Sequence, residues 1–161
     1  MSAKRIDRAS TQVEASPERV YCAFIDPSAL ARWLPPAGAR ATIEAFEPRA
    51  GGRFRITLVF DGHQGKTTDD TDVVSGRFVE LVPGERIVWA VDFEADDPAF
   101  AGTMTMTWTF APEGAGTRVT VAATDVPSGI RPEDHQQGLE SSLSNLAAYC
   151  RSQDGFPPAR E

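Results

Sequence analysis

Two histidines, three closely spaced aspartates, one strand glutamate and two cysteines are the side chains of this sequence that could do chemistry. His63 and His135 are its only imidazoles. A histidine-rich metal site would need both, yet one falls in a polar loop and the other on a helix, so no metal is expected. Asp69, Asp70 and Asp72 lack the glycine and distal glutamate of a calcium loop and read as a solvated acidic loop. Cys22 and Cys150 have no CxxC partner. Each lies on a predicted helix, and two buried or half-buried thiols are expected rather than a disulfide. The phosphate-loop, dinucleotide, nucleophile-elbow and zinc-protease patterns are absent. That leaves His135 and Glu80. His135 stands four residues before Leu139, on or beside the apolar stripe of its helix. There it would be a polar handle, or a general acid/base, at the mouth of a cavity; the plainer expectation is a surface histidine in a first helical turn. Glu80 follows Gly76, which obscures the strand register. Turned inward, it would be a buried carboxylate with a raised pKa.

The element that must position His135 is a predicted helix over 132–150. Pro132 suits the first helical position, and Glu133 and Asp134 bring negative charge to the first turn. Leu139, Leu143, Leu146 and Cys150 recur at spacings of four, three and four, which stacks them on one stripe. Between Arg40 and Asp125 the pattern is strands. Arg53 to Phe60 alternates, with Phe54, Ile56, Leu58 and Phe60 on one face. Ile87, Trp89, Val91 and Phe93 alternate likewise, and so do Met104, Met106, Trp108 and Phe110 against Thr103, Thr105, Thr107 and Thr109. Ala41 to Pro48, Val73 to Val82 and Thr117 to Thr124 complete the set, and Gly76 suggests a bulge or a sharp bend. The paired Gly51-Gly52 makes a turn with positive φ available at both positions. Before them come a strand over 5–14, a helix capped by Ser16, and a second short helix, Ala29 to Leu34, capped by Ser28. Short connections make the strands hairpins and the sheet antiparallel. The helix stripe has only that sheet to pack on.

At 161 residues the chain reads as a single domain over 1–152 with a tail over 153–161. The start lacks the apolar core of a signal peptide, so a cytoplasmic protein is expected. A net charge of −7 argues against nucleic acid and anionic membranes, both of which demand a basic surface. No apolar run reaches membrane-spanning length.

The order strand, two short helices, six strands, long helix is that of the α+β helix-grip fold. The sequence resembles the START-like (SRPBCC) superfamily and, within it, the family related to the activator of the heat-shock chaperone ATPase. The residues that carry the likeness include Ser16-Pro17-Glu18-Arg19-Val20, Asp26-Pro27, Trp33, Pro48-Arg49-Ala50-Gly51-Gly52-Arg53-Phe54 and Gly76-Arg77-Phe78-Val79-Glu80-Leu81-Val82-Pro83. Glu85-Arg86-Ile87-Val88, Gly116-Thr117-Arg118-Val119-Thr120 and Gly138 with Leu143 and Leu146-Ala147-Ala148-Tyr149 continue it. Where the family commonly has a Trp after the helix glycine, this chain has Leu139, which implies a roomier and less aromatic cavity if it faces inward. The superfamily carries many functions on one scaffold, so the fold alone does not choose.

The function expected is binding of a small, mostly apolar molecule between the curved sheet and the long helix, with no cofactor. Trp33, Phe54, Ile56, Leu58, Trp89, Met104, Met106, Trp108, His135, Leu139 and Leu143 are the candidate cavity residues. The alternatives are a cyclase- or hydrolase-type enzyme using the same cavity, or a chaperone-interacting module with an exposed patch. A homodimer and a chaperone partner stay open.

Overall fold

The computed structural model describes residues 5–36, 38–62, 65, 67, 68 and 70–154. His63, Asp69 and 155–161 of the expected tail lie outside the described residues. Strand β1 (Ile6–Val13) leads into α1 (Pro17–Ile25) and α2 (Pro27–Trp33). Then come β2 (Ala39–Phe46), β3 (Arg53–Phe60), β4 (Thr71–Val82), β5 (Arg86–Phe93), β6 (Met104–Glu113) and β7 (Gly116–Thr124), with a 3-10 turn at Pro98–Phe100. The chain closes with α3 (Pro132–Asp154). The seven strands form one curved sheet in the order β1-β7-β6-β5-β4-β3-β2, and every neighbouring pair is antiparallel. This is the expected helix-grip architecture. The long helix runs four residues past the expected end at 150.

Local chemistry sets the joints, and three of them correct the sequence reading. Ser16 accepts a hydrogen bond from the Arg19 N–H at 3.2 Å and caps α1. The second helix starts at Pro27, because Asp26 and not Ser28 is its cap, accepting from the Ser28 N–H at 2.9 Å. Asp26 ends one helix and begins the next. At the paired glycines only Gly51 has positive φ, +82°. Gly52 is needed for a different reason: a Cβ there would run into the Glu47 carbonyl.

Gly76 is not the bulge. The register of β4 against β5 shifts between Phe78 and Glu80, and the outward Val79 is 49% exposed. Two residues there face one on β5, so Phe78 and Leu81 can both point inward. Gly76 pairs with Phe54 on β3, and a Cβ would land on the Phe54 ring. Its role is to make room for an aromatic side chain lying flat on the sheet.

The inward face carries the core. Phe54, Ile56, Ile87, Trp89, Met104, Met106, Trp108, Val119 and Val121 are buried, and Leu139, Leu143, Leu146 and Cys150 of α3 close over them. The threonines of β6 lie on the other face, half-buried or exposed. Ser142 Oγ donates to the Leu34 carbonyl at 2.6 Å and Asn145 Nδ2 to the Pro35 carbonyl at 2.9 Å. Those two bonds fasten the middle of α3 to the end of α2. No helix among the described residues is long and apolar enough to cross a membrane.

Candidate functional site

The space under α3 is divided. At one end Phe24 of α1 packs against Trp33, Trp108 and Phe110, with ring centroids 4.6–5.2 Å apart. Trp108 meets Trp89 edge-on at 5.2 Å, and Trp89 meets Phe54 at 5.4 Å. Interlocked rings leave that half solid. At the other end, under the first half of α3, a cavity of about 730 Å³ opens between sheet and helix. Its sheet wall comprises Phe54, Ile56, Leu58, Trp89, Val91, Met104 and Met106, and its helix wall includes His135, Gly138 and Leu139.

Of the residues singled out in the sequence, eight meet at this cavity: Phe54, Ile56, Leu58, Trp89, Met104, Met106, His135 and Leu139. Trp33, Trp108 and Leu143 lie outside its lining, in the packed half. The helix stripe therefore changes task along its length. His135 and Leu139 face the cavity, while Leu143, Leu146 and Cys150 are buried outside its lining. Gly138 is a notch between them, since a Cβ there would meet nothing within 4 Å. Leu139 does face inward.

His135 is not a surface residue. Its side chain is 13% exposed, and Nδ1 lies 2.6 Å from Oδ2 of Asp7. An ionised carboxylate only accepts, so Nδ1 carries the proton and donates. Asp7 sits on β1 opposite Ala123 of β7, on the inward face, and is 6% exposed. Arg5 holds it from the other side through two bonds, Nε to Oδ1 at 3.0 Å and Nη2 to Oδ2 at 2.8 Å. Burial pushes the Asp7 carboxyl up, but the hydrogen bonds from Arg5 and His135 outweigh it and hold the pKa below the ordinary carboxylate value. Asp7 in turn raises the Arg5 guanidinium. An Arg–Asp–His chain thus includes an imidazole in the cavity wall.

The sequence reading missed Asp7, although a signal existed: it is in phase with the buried Ala9 and Val13 of β1, so parity alone placed a carboxylate inside. Asp72 was also misread. It is not in a solvated loop but near the start of β4, opposite Leu58, 2% exposed and part of the cavity lining. Glu80 goes the other way. It faces outward in a bidentate pair with Arg86, at 2.8 and 3.1 Å, which lowers its pKa. Cys22 and Cys150 are both thiols, but Cys22 is exposed, unlike the half-buried thiol expected. No cluster of three or more metal-ligating side chains occurs among the described residues.

A curved antiparallel sheet closed by a long C-terminal helix, with a cavity between them, defines the helix-grip class. Within that class, the family described as "Activator of Hsp90 ATPase homolog 1-like protein" matches residues 14–151, and the chain belongs to that family. The crystal structure of protein CV1439 from Chromobacterium violaceum is similar at 36% identity and a TM-score of 0.79, over 89% of this chain and 94% of that one. A protein of Rhodobacter sphaeroides shares the fold at 21% identity, with a TM-score of 0.77 over 94% and 95% of the two chains. The solution structure of an AHSA1-like protein from Aeromonas hydrophila does so at 20% identity and 0.71, over 93% and 94%. No curated protein matches the sequence.

Proposed function

We propose that the chain binds a small, mostly apolar molecule in the cavity between the sheet and the first half of α3. The observation that carries this is the cavity itself: about 730 Å³ beneath a helix whose other half packs solidly on the same sheet. Small-molecule sites run from roughly 300 to 1,000 Å³, mostly apolar with a few placed polar groups. Here the apolar groups are the rings, aliphatics and methionines of β3, β5 and β6, and the polar ones include His135 and Asp72. The indole N–H groups of Trp89, in the lining, and of Trp108, outside it, are both buried without a hydrogen-bond partner among the described residues. Such a donor costs about 1–3 kcal/mol while unsatisfied.

The family's descriptive name points to a chaperone partner, which would call for an exposed apolar or charged patch. The exposed large apolar side chains among the described residues are Ile6 and Val79, on strands that β7, β6 and β5 separate. That gives no support to an apolar docking patch.

The test is Met106→Trp, read by melting temperature and by quenching of tryptophan fluorescence with nitrobenzene, an uncharged apolar probe. Wild type should be quenched saturably, and the variant should lose saturable quenching at little cost in stability. Overpacking a filled core would instead cost about 1–3 kcal/mol. That loss, with no saturable quenching of wild type, would refute the reading.

A further inference from the structure

Gly138 is a residue for which the packing of the protein itself gives no reason. It lies in the interior of α3, where glycine weakens a helix more than any residue but proline, because it has the most backbone freedom to lose. Each of the other described glycines has a local reason. It either holds a positive φ or stands where a Cβ would come within 3 Å of another atom. Gly138 is helical, and a Cβ on it would meet nothing within 4 Å among the described residues. Its neighbours on the helix surface, three and four positions away, are Asp134, His135, Ser141 and Ser142. All four line the cavity, as Gly138 does. The missing side chain therefore falls in the middle of the helix wall and deepens the cavity there.

We propose that Gly138 is the specificity-determining position of the cavity: it lets a broad apolar ligand of two or more rings lie against the α3 backbone, and a side chain there would exclude that ligand. This rests on the cavity-binding reading and deepens it by naming the class of ligand. Close approach of a ligand to the main chain is one of the uses that glycine serves and larger residues do not. At about 730 Å³ the space lies in the upper part of the range, roughly 300–1,000 Å³, of small-molecule sites. A ligand that fills it reaches from the sheet to the notch, whereas a single ring on the sheet wall does not need the notch. That wall suits rings. Phe54 and Trp89 contribute aromatic groups, and Met104 and Met106 contribute thioethers, which favour aromatic contacts.

The test pairs N-phenyl-1-naphthylamine, an uncharged three-ring probe that brightens in apolar surroundings, with the single ring of nitrobenzene. Both should bind wild type saturably and lose that binding in Met106→Trp, which ties them to the cavity. Gly138→Ala should raise the melting temperature and yet weaken the larger probe about tenfold or more, the effect of one methyl-sized group in an apolar pocket, with nitrobenzene changed less than about twofold. Gly138→Leu should abolish binding of the larger probe. Ser144→Ala is the control. Ser144 is exposed on the same helix and outside the cavity lining, so alanine there favours the helix without entering the cavity, and both probes should bind as in wild type. An equal loss in Ser144→Ala would assign the effect to a stiffer helix and overturn the role of Gly138. Unchanged affinity of the larger probe in Gly138→Ala, a lower melting temperature of that variant, or a wild type that binds nitrobenzene alone would overturn it too. The cavity reading would survive each of these results. Failure of both probes to bind wild type would overturn both.

Discussion

Asp7 shows how much one side chain can hold together here. It joins β1 to the first turn of α3, 128 residues away in sequence, through a carboxylate that is nearly out of solvent. Its folded pKa is depressed. The stability it supplies is therefore present above the unfolded value, about 3.9, and is lost as pH falls through the lower folded value. Acid titration of the melting temperature should show this limb, and Asp7→Asn should flatten it. At neutral pH that variant should lose about 1.5–3 kcal/mol, the range for hydrogen bonds to a charged group. Gly76 is the other position where a single change is decisive. Gly76→Val would push into the Phe54 ring and should cost about 1–3 kcal/mol by overpacking, measured by urea unfolding.

At the level of elements, α3 is the piece whose behaviour can be calculated. Leu143 is buried and lies outside the cavity lining. Leu143→Asp should abolish cooperative folding, since an unpaired buried charge costs several kcal/mol against a total of roughly 5–15; near-wild-type melting would contradict the buried stripe. Gly138→Ala should act in the opposite sense. Alanine is better than glycine in a helix by about 0.8–1.0 kcal/mol, and its Cβ meets open space. A lower melting temperature would count against the notch. Most of this architecture was legible from periodicity, because apolar spacing reports which face is buried. The strands and the 139/143/146/150 stripe followed from it. The bulge was not legible, because Gly76 breaks the pattern for a steric reason set by Phe54 on another strand. Neither was the Arg5–Asp7–His135 chain, whose members meet only once the sheet edge and the helix start come together. Asp72 was assigned to its neighbours' loop because acidic composition outweighed strand parity. Within the stripe, nothing in residue type separates Leu139, which lines empty space, from Leu143, which does not.

For the whole molecule, occupancy and stability are linked. A ligand that binds only the folded chain stabilises it by about 2.7 kcal/mol at 100 times its Kd. Nitrobenzene should thus raise the melting temperature of wild type and leave Met106→Trp unmoved. The divided space beneath α3 has a kinetic side as well. Its first turns border a void and are held to β1 through the His135–Asp7 bond, while its later turns are buried against the core and fastened to α2 through Ser142 and Asn145. Segments with few packed neighbours open locally at lower free energy than the rest of the domain. Amide protons near 135–140 should therefore exchange with solvent faster than those near 143–150, and the gap should narrow when the void is filled.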